Sequence, residues 1–176
     1  SYRHDNRMLI TPSGIESHKL SSELIASMNV NDSNGEFDGP LPPSSEWRFH
    51  QEILRKREDV TCVVHMHSTY ATTLATLHRD IPAVHYMIAA FGGPIIRCVN
   101  YAPYGTKALS QLVIEGLGEI DAVLLANHGA IVTGTDMGRT MWRALELENL
   151  ARVYYLACLA GDPIILSCLL YTSPSP

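Results

Sequence analysis

His65 and His67 stand one residue apart in residues 60–67, a segment rich in β-branched side chains. That composition predicts a buried strand, where side chains two apart point to one face, so both imidazoles can reach the same ion. His128 follows a second apolar run, residues 122–126, and precedes Gly129, a place where backbone turns at the edge of a site. Three neutral imidazoles that leave one position open are the donor set of a catalytic zinc ion acting as a Lewis acid. Closed structural zinc sites use four protein ligands instead. Plainer readings stand beside this one. A His-x-His pair can be two polar residues on an exposed strand face, and a histidine beside glycine can be a hydrogen-bonded loop residue. Met66, between the pair, is expected to pack into the core.

Other residues suit an anion or a proton transfer. Ser44 and Ser45 stand where a helix N-cap belongs, ahead of a helical spread of apolar positions over 46–55. Their hydroxyls and the free N–H groups of a helix start fit a phosphate dianion, although one serine can be a cap and nothing more. Ser13 and Gly14 form a turn after the strand expected at residues 8–10, and the same two readings apply. Glu46, at the start of that helix, is either a proton carrier or a partner for the helix dipole. Tyr86, taken alone, reads as a core aromatic with its hydroxyl satisfied. His4, His18 and His78 lie in turn-like surroundings and are read as surface, His50 as packed near the site, and His85 as either. Arg97 and Lys107 are further cations that nothing in the sequence places near a phosphate.

The elements that must position these groups alternate. Strands are expected at 8–10, 60–67, 95–100 and 122–126, with a second short apolar run at 130–132; helices are expected at 46–55, 69–77, 106–117 and 137–159. Residues 82–91 are ambiguous between strand and helix. Asn31-Asp32-Ser33-Asn34-Gly35 is a hairpin-type turn, and Gly39-Pro40-Leu41-Pro42-Pro43 a stiff loop. Alternating strands and helices imply a layered α/β domain.

With 176 residues, 46% of them hydrophobic, the chain can bury one substantial core. Its net charge of −5 lacks the basic excess expected of a nucleic-acid binder, and no apolar run approaches the ~20 residues of a membrane span. The four cysteines are scattered with no CxxC pair, which suggests reduced thiols and a cytoplasmic protein.

Taken in order, Met8-Leu9-Ile10-Thr11-Pro12-Ser13-Gly14, Leu41-Pro42-Pro43-Ser44-Ser45-Glu46-Trp47-Arg48-Phe49-His50, His65-Met66-His67, Ile81-Pro82-Ala83-Val84-His85-Tyr86-Met87-Ile88-Ala89-Ala90 and Asn127-His128-Gly129 resemble the class II aldolase/adducin family, on its fuculose-phosphate aldolase side. The resemblance runs over residues 1–166, as a domain whose N-terminal Gly-Asn pair would precede Ser1, followed by an unrelated, disordered Ser/Pro tail at 167–176. It implies a three-layer α/β/α sandwich with a central mixed, largely antiparallel sheet, and a homotetramer with active sites at subunit interfaces. It further implies zinc (Zn2+) on His65, His67 and His128 with Glu46 beside it as ligand and proton carrier. A small phosphorylated sugar would be held by Ser13, Gly14, Ser44 and Ser45, and Tyr86 of a neighbouring subunit would be the proton donor. The implied reaction is aldol cleavage of a ketose 1-phosphate to dihydroxyacetone phosphate and a small aldehyde. Related chemistries on the same fold are a sugar-phosphate 4-epimerase, a dehydratase and a decarboxylase. A non-catalytic adducin-like interaction domain is the remaining alternative, and it has no reason to keep the three histidines and Glu46.

Overall fold

The computed structural model describes residues 1–167. In chain order the elements are β1 (Tyr2–His4), β2 (Arg7–Ile10), β3 (Ala26–Asn29), β4 (Phe37–Asp38), α1 (Trp47–Lys56), β5 (Cys62–Met66), α2 (Thr69–Thr76), β6 (Ile81–Pro82), β7 (Ile95–Ile96), β8 (Cys98–Val99), α3 (Lys107–Leu117), β9 (Ala122–Leu125), β10 (Gly129–Gly134) and α4 (Met137–Ala160). Eight strands form one sheet in the order β4-β3-β2-β1-β5-β10-β9-β8. Neighbours run antiparallel except for the parallel pair β8–β9, as the expected mixed, largely antiparallel sheet requires.

Side-chain alternation along the central strands builds a core on each face. Val123, Leu125 and Ile131 pack with Phe49 and Ile53 of α1 and Leu109 and Val113 of α3. Ala122, Leu124, Ala130 and Val132 pack on the other side with Leu74 of α2 and Leu147 and Leu150 of α4. A strand covered on both faces must be apolar throughout, which is why residues 122–126 read as an unbroken run. Met66 packs into the second core, as the alternation predicts.

Three segments differ from their sequence reading. Residues 82–91 are neither a long strand nor an α-helix. After β6, the His85 ring accepts the Met87 N–H at 3.4 Å and opens a 3-10 helix, Tyr86–Phe91, which Gly92 closes at a φ of 82°. Residues 95–100 divide in two because the chain changes partner, Ile96 pairing with Ile81 and Cys98 with Leu124. The N-cap position of α1 is held by Glu46, and Ser44 and Ser45 lie outside it.

At the end of the β9–β10 hairpin away from its turn, Asp121 ties several elements together. Its carboxylate accepts from Arg143 of α4 at 2.7 Å, from the Thr133 hydroxyl at 2.8 Å and from Arg57 at 3.3 Å. Arg143 also donates to the carbonyls of Ala90 and Thr133. Burial pushes the Arg143 guanidinium down, with Asp121 opposing, while the Asp59 hydrogen bond holds Arg57 up. Beyond α4, the Leu166 N–H reaches the Ala83 carbonyl at 2.8 Å. Cys62, Cys98 and Cys158 are free thiols. Cys168 and the tail expected to be disordered, from residue 168 onward, lie outside the described residues. No described helix is long and apolar enough to cross a membrane.

Replacing Arg143 by Ala removes three of these bonds and leaves Asp121 half-paired, so it should lower unfolding free energy by about 3 kcal/mol in urea titration.

Candidate metal centre

The site is built where β5 ends and the β9–β10 turn begins. β5 and β10 pair with Ile131 opposite His65 and Ala130 opposite Met66. His65 therefore points to the α1 side of the sheet, and its ring meets the edge of Phe49 at 5.3 Å between centroids. His67 lies one residue past the strand and keeps the same side, its ring centroid 4.7 Å from that of His65. His128 arrives from the turn, its centroid 4.9 Å from His65 and 5.0 Å from His67.

Local backbone explains the Asn127-His128-Gly129 sequence. Asn127 adopts a left-handed φ of 55°, a conformation asparagine tolerates better than most residues. Its side-chain oxygen lies 2.6 Å from His78 Nε2 and its N–H donates to the Ala75 carbonyl. Gly129 leaves no room for a side chain: a Cβ there would stand 2.4 Å from the Met66 carbonyl oxygen and 2.6 Å from His67 Cδ2. The missing methyl is what lets the two histidine-bearing segments close on one another.

Glu46 completes the cluster from the start of α1. Its carboxylate makes no hydrogen bond to its own helix and is turned into the site instead, with Oε2 3.0 Å from His65 Nε2 and Oε1 3.4 Å from His128 Nε2. One donor atom from each of Glu46, His65, His67 and His128 lies within 4.8 Å of all the others. Ligands about 2.1 Å from a tetrahedral cation stand about 3.4 Å apart, and the approaches of Glu46 to His65 at 3.0 Å and to His128 at 3.4 Å lie near that spacing.

The protons point the same way. His65 Nδ1 donates to the Ala130 carbonyl at 3.0 Å, because a carbonyl can only accept. In the neutral ring Nε2 keeps a lone pair toward Glu46 Oε2 and toward His67 Nε2, the latter 2.9 Å away; in the protonated ring it donates to Glu46 instead. Burial first, and then the charges of His65 and His128, hold the His67 imidazole below its ordinary range and favour its neutral form. Burial alone would raise the Glu46 carboxyl, but the facing imidazoles of His128 and His65, when they carry a proton, outweigh it and keep the group ionised. Glu46 is 8% exposed and its Oε1 is a buried acceptor without a well-formed hydrogen bond. Lone pairs and a carboxylate converging in a half-dry site call for a cation, and three imidazoles with one carboxylate suit a divalent one.

A cavity of about 360 Å³ opens beside the cluster, lined by Glu46, His67, Tyr101, Ala102, Tyr104, Asn127 and His128. Tyr101 and Tyr104 were not singled out by the sequence reading. Their one signal is a pair of aromatics in a Pro/Gly-rich stretch between a strand and a helix. Gly105 closes that loop at a φ of 70°, against the Ser45 carbonyl.

Ser13, Gly14, Ser44 and Ser45 are also brought together. The Ser13 N–H donates to the Pro42 carbonyl at 3.2 Å and the Ser44 N–H to the Thr11 carbonyl at 3.0 Å, so the two loops run side by side next to Glu46. Ser44 Oγ accepts the Glu46 N–H at 3.3 Å, while Ser13, Gly14 and Ser45 are exposed. Tyr86 is not among the cavity's lining residues. It is 52% exposed, against the core reading, and its ring lies tilted against that of His85, 4.6 Å between centroids. His50 is buried beside Phe49. His4, His18 and His78 are exposed.

Residues 1–155 match the family model of the class II aldolase and adducin N-terminal domain. The chain belongs to this family. Among class II aldolase relatives, it is 44% identical over 166 residues to a 5-methylthioribulose-1-phosphate/5-deoxyribulose-1-phosphate aldolase of Rhodospirillum rubrum, covering 94% of this chain and 74% of that protein. It is 42% identical over 164 residues to the L-fuculose phosphate aldolase of Escherichia coli strain K12, covering 93% and 75%. A solved L-fuculose 1-phosphate aldolase superposes with a TM-score of 0.89 at 36% identity, covering 94% of this chain and 77% of that one.

Because a Cβ at residue 129 has nowhere to go, Gly129→Ala should part β10 from the His67 segment. We expect a loss of about 2 kcal/mol in stability and an affinity for divalent metal weakened by about tenfold or more, read by chelator competition.

Proposed function

We propose that this class II aldolase domain is a zinc-dependent aldehyde-lyase that cleaves a ketose 1-phosphate to dihydroxyacetone phosphate and a small aldehyde. The observation that carries the reading is the convergence of His65, His67, His128 and Glu46 on one point beside an open cavity. The relatives are named as aldolases acting on phosphorylated ketoses, which supports this reaction over epimerisation, dehydration or decarboxylation on the same fold. An adducin-like binding domain would gain nothing from a buried carboxylate facing three imidazoles.

Retro-aldol cleavage breaks the bond between carbons 3 and 4 of the ketose. The proton of the carbon-4 hydroxyl leaves, its oxygen becomes the aldehyde carbonyl, and the electron pair of the broken bond remains on carbon 3 until a proton is added there. A divalent cation on the three histidines supplies the electron sink for that carbanion. Glu46, ionised and held at the cavity wall, takes up one proton, matching the one released from the carbon-4 hydroxyl, and delivers it to carbon 3, so that no net proton is gained or lost. Ser13, Gly14, Ser44 and Ser45 offer hydroxyls and backbone N–H groups to the phosphate, next to the site and at the start of α1, where the helix dipole favours an anion. Tyr101 and Tyr104 flank the cavity and offer ring faces against which the carbon chain of a substrate can pack.

Tyr86 exchanges the proton of the carbon-4 oxygen, reaching in from a neighbouring subunit of a homotetramer. Its exposure away from its own chain's cavity supports that arrangement, as do the exposed Met141, Trp142 and Leu145 on α4. Free cysteines support a reducing, cytoplasmic setting.

Protein purified without chelator should carry about one zinc per chain, and His65→Ala should lose it. Glu46→Gln should keep metal while release of dihydroxyacetone phosphate from fuculose or 5-deoxyribulose 1-phosphate falls by ~10²–10⁴. Metal-free wild-type protein, or full turnover in the Gln variant, would reject the reading. Tyr86→Phe and Glu46→Gln proteins, each inactive alone, should regain part of the activity after mixing and subunit exchange. No regain would place Tyr86 outside the neighbour's site.

A further inference from the structure

The ligand with the weakest local support is His67. It lies beyond the end of β5 and outside its ladder. The chain then enters α2, which begins at Thr69 after the N-cap residue Ser68. Ser68 does not cap. Its hydroxyl makes no bond to the helix and is buried without a partner. The N–H groups at the second and third positions of α2, which an N-cap side chain ordinarily satisfies, are taken by a residue of another helix. Glu148 of α4 accepts the Tyr70 N–H on Oε1 at 2.8 Å and the Ala71 N–H on Oε2 at 2.9 Å. A carboxylate bound through both oxygens at the positive end of a helix fixes the helix in direction as well as depth.

The other end of α2 also reaches the site. The Ala75 carbonyl accepts the Asn127 N–H at 3.2 Å, and His78, just past the helix, lies 2.6 Å from the Asn127 side-chain oxygen. α2 therefore spans from the residue after next to His67 to the residue before His128. A rigid strut between two ligands sets their separation, and Glu148 sets where the strut starts.

We propose that Glu148 is a positioning residue of the metal centre, which through α2 holds His67 at ligating distance from the ion. This rests on the metal-centre reading above. It assigns to a residue on the far face of the sheet, with no atom in the site, a share of the metal affinity.

The test is a thermodynamic cycle on the full chain. Zinc is titrated against a chromogenic chelator in wild type, Glu148→Gln, Glu148→Asp, His67→Ala, His128→Ala and the corresponding doubles. Thermal unfolding of each metal-free protein is measured alongside. Gln can offer one oxygen and no charge, and Asp falls one methylene short, so both should weaken zinc binding, Gln by about tenfold or more. The effect should vanish in the His67→Ala background, where the positioned ligand is gone, and persist in the His128→Ala background. Equal affinity in wild type and both Glu148 variants would overturn the proposal. So would a loss that is the same in every background and tracks the fall in unfolding temperature, because that describes general destabilisation. If the Gln variant does not fold, the Asp series decides by the same criteria. Wild-type protein that binds no zinc at all would overturn the metal reading itself, an outcome distinct from an intact wild-type site that ignores Glu148.

Discussion

The antiparallel register of β5 against β10 is the constraint on which the site depends. With Ile131 opposite His65, the last inward-facing position of one strand lies beside the first residues of the other. A shift of one residue would turn His65 to the opposite face, away from Glu46, and bury a polar ring in the α2–α4 core. The register is fixed by the apolar positions that flank it. Val63 faces one core and Val64 the other, so the same alternation that closes the two cores also aims the imidazoles.

Much of the fold was legible because its signals are redundant. The helices over 107–117 and 137–160 follow from periodicity with Thr106 and Asp136 as true N-caps, both of whose side chains accept a backbone N–H. β9 announced itself as an unbroken apolar run because both faces are covered. Other elements were silent for the opposite reason. β3 has four residues, and Ala26 and Met28 are its buried positions, too few to make a pattern. β1 has three residues and lies between β2 and β5, held by its neighbours and not by its own composition. Residues 95–100 read as one strand because periodicity cannot see a change of pairing partner.

The site was legible to a different degree at each residue. The spacing of His65 and His67 on a strand left a shared ligand role open beside a plainer one, and it was the family resemblance that joined His128 to them before any geometry was known. Ser44 and Ser45 were misplaced at the helix start because a cap preference says nothing of where a following carboxylate turns. Glu46 takes the cap position and directs its side chain at the histidines. Tyr101 and Tyr104 escaped notice since loop aromatics carry no periodicity, and Glu148 because its partners are backbone N–H groups 78 and 77 residues away.

The β9–β10 hairpin carries two unlike burdens at its two ends. One end is locked by Asp121, Arg143, Thr133 and Arg57, a web of charge-assisted bonds that tolerates little change. The other holds His128 and looks onto the exposed tyrosines of an irregular loop. Firmness and adaptability are thus separated by the length of one short ribbon. Such a layout allows the mouth of the cavity to be re-tailored for a different ligand by altering loop side chains, while the frame that aims the three histidines and Glu46 is left untouched.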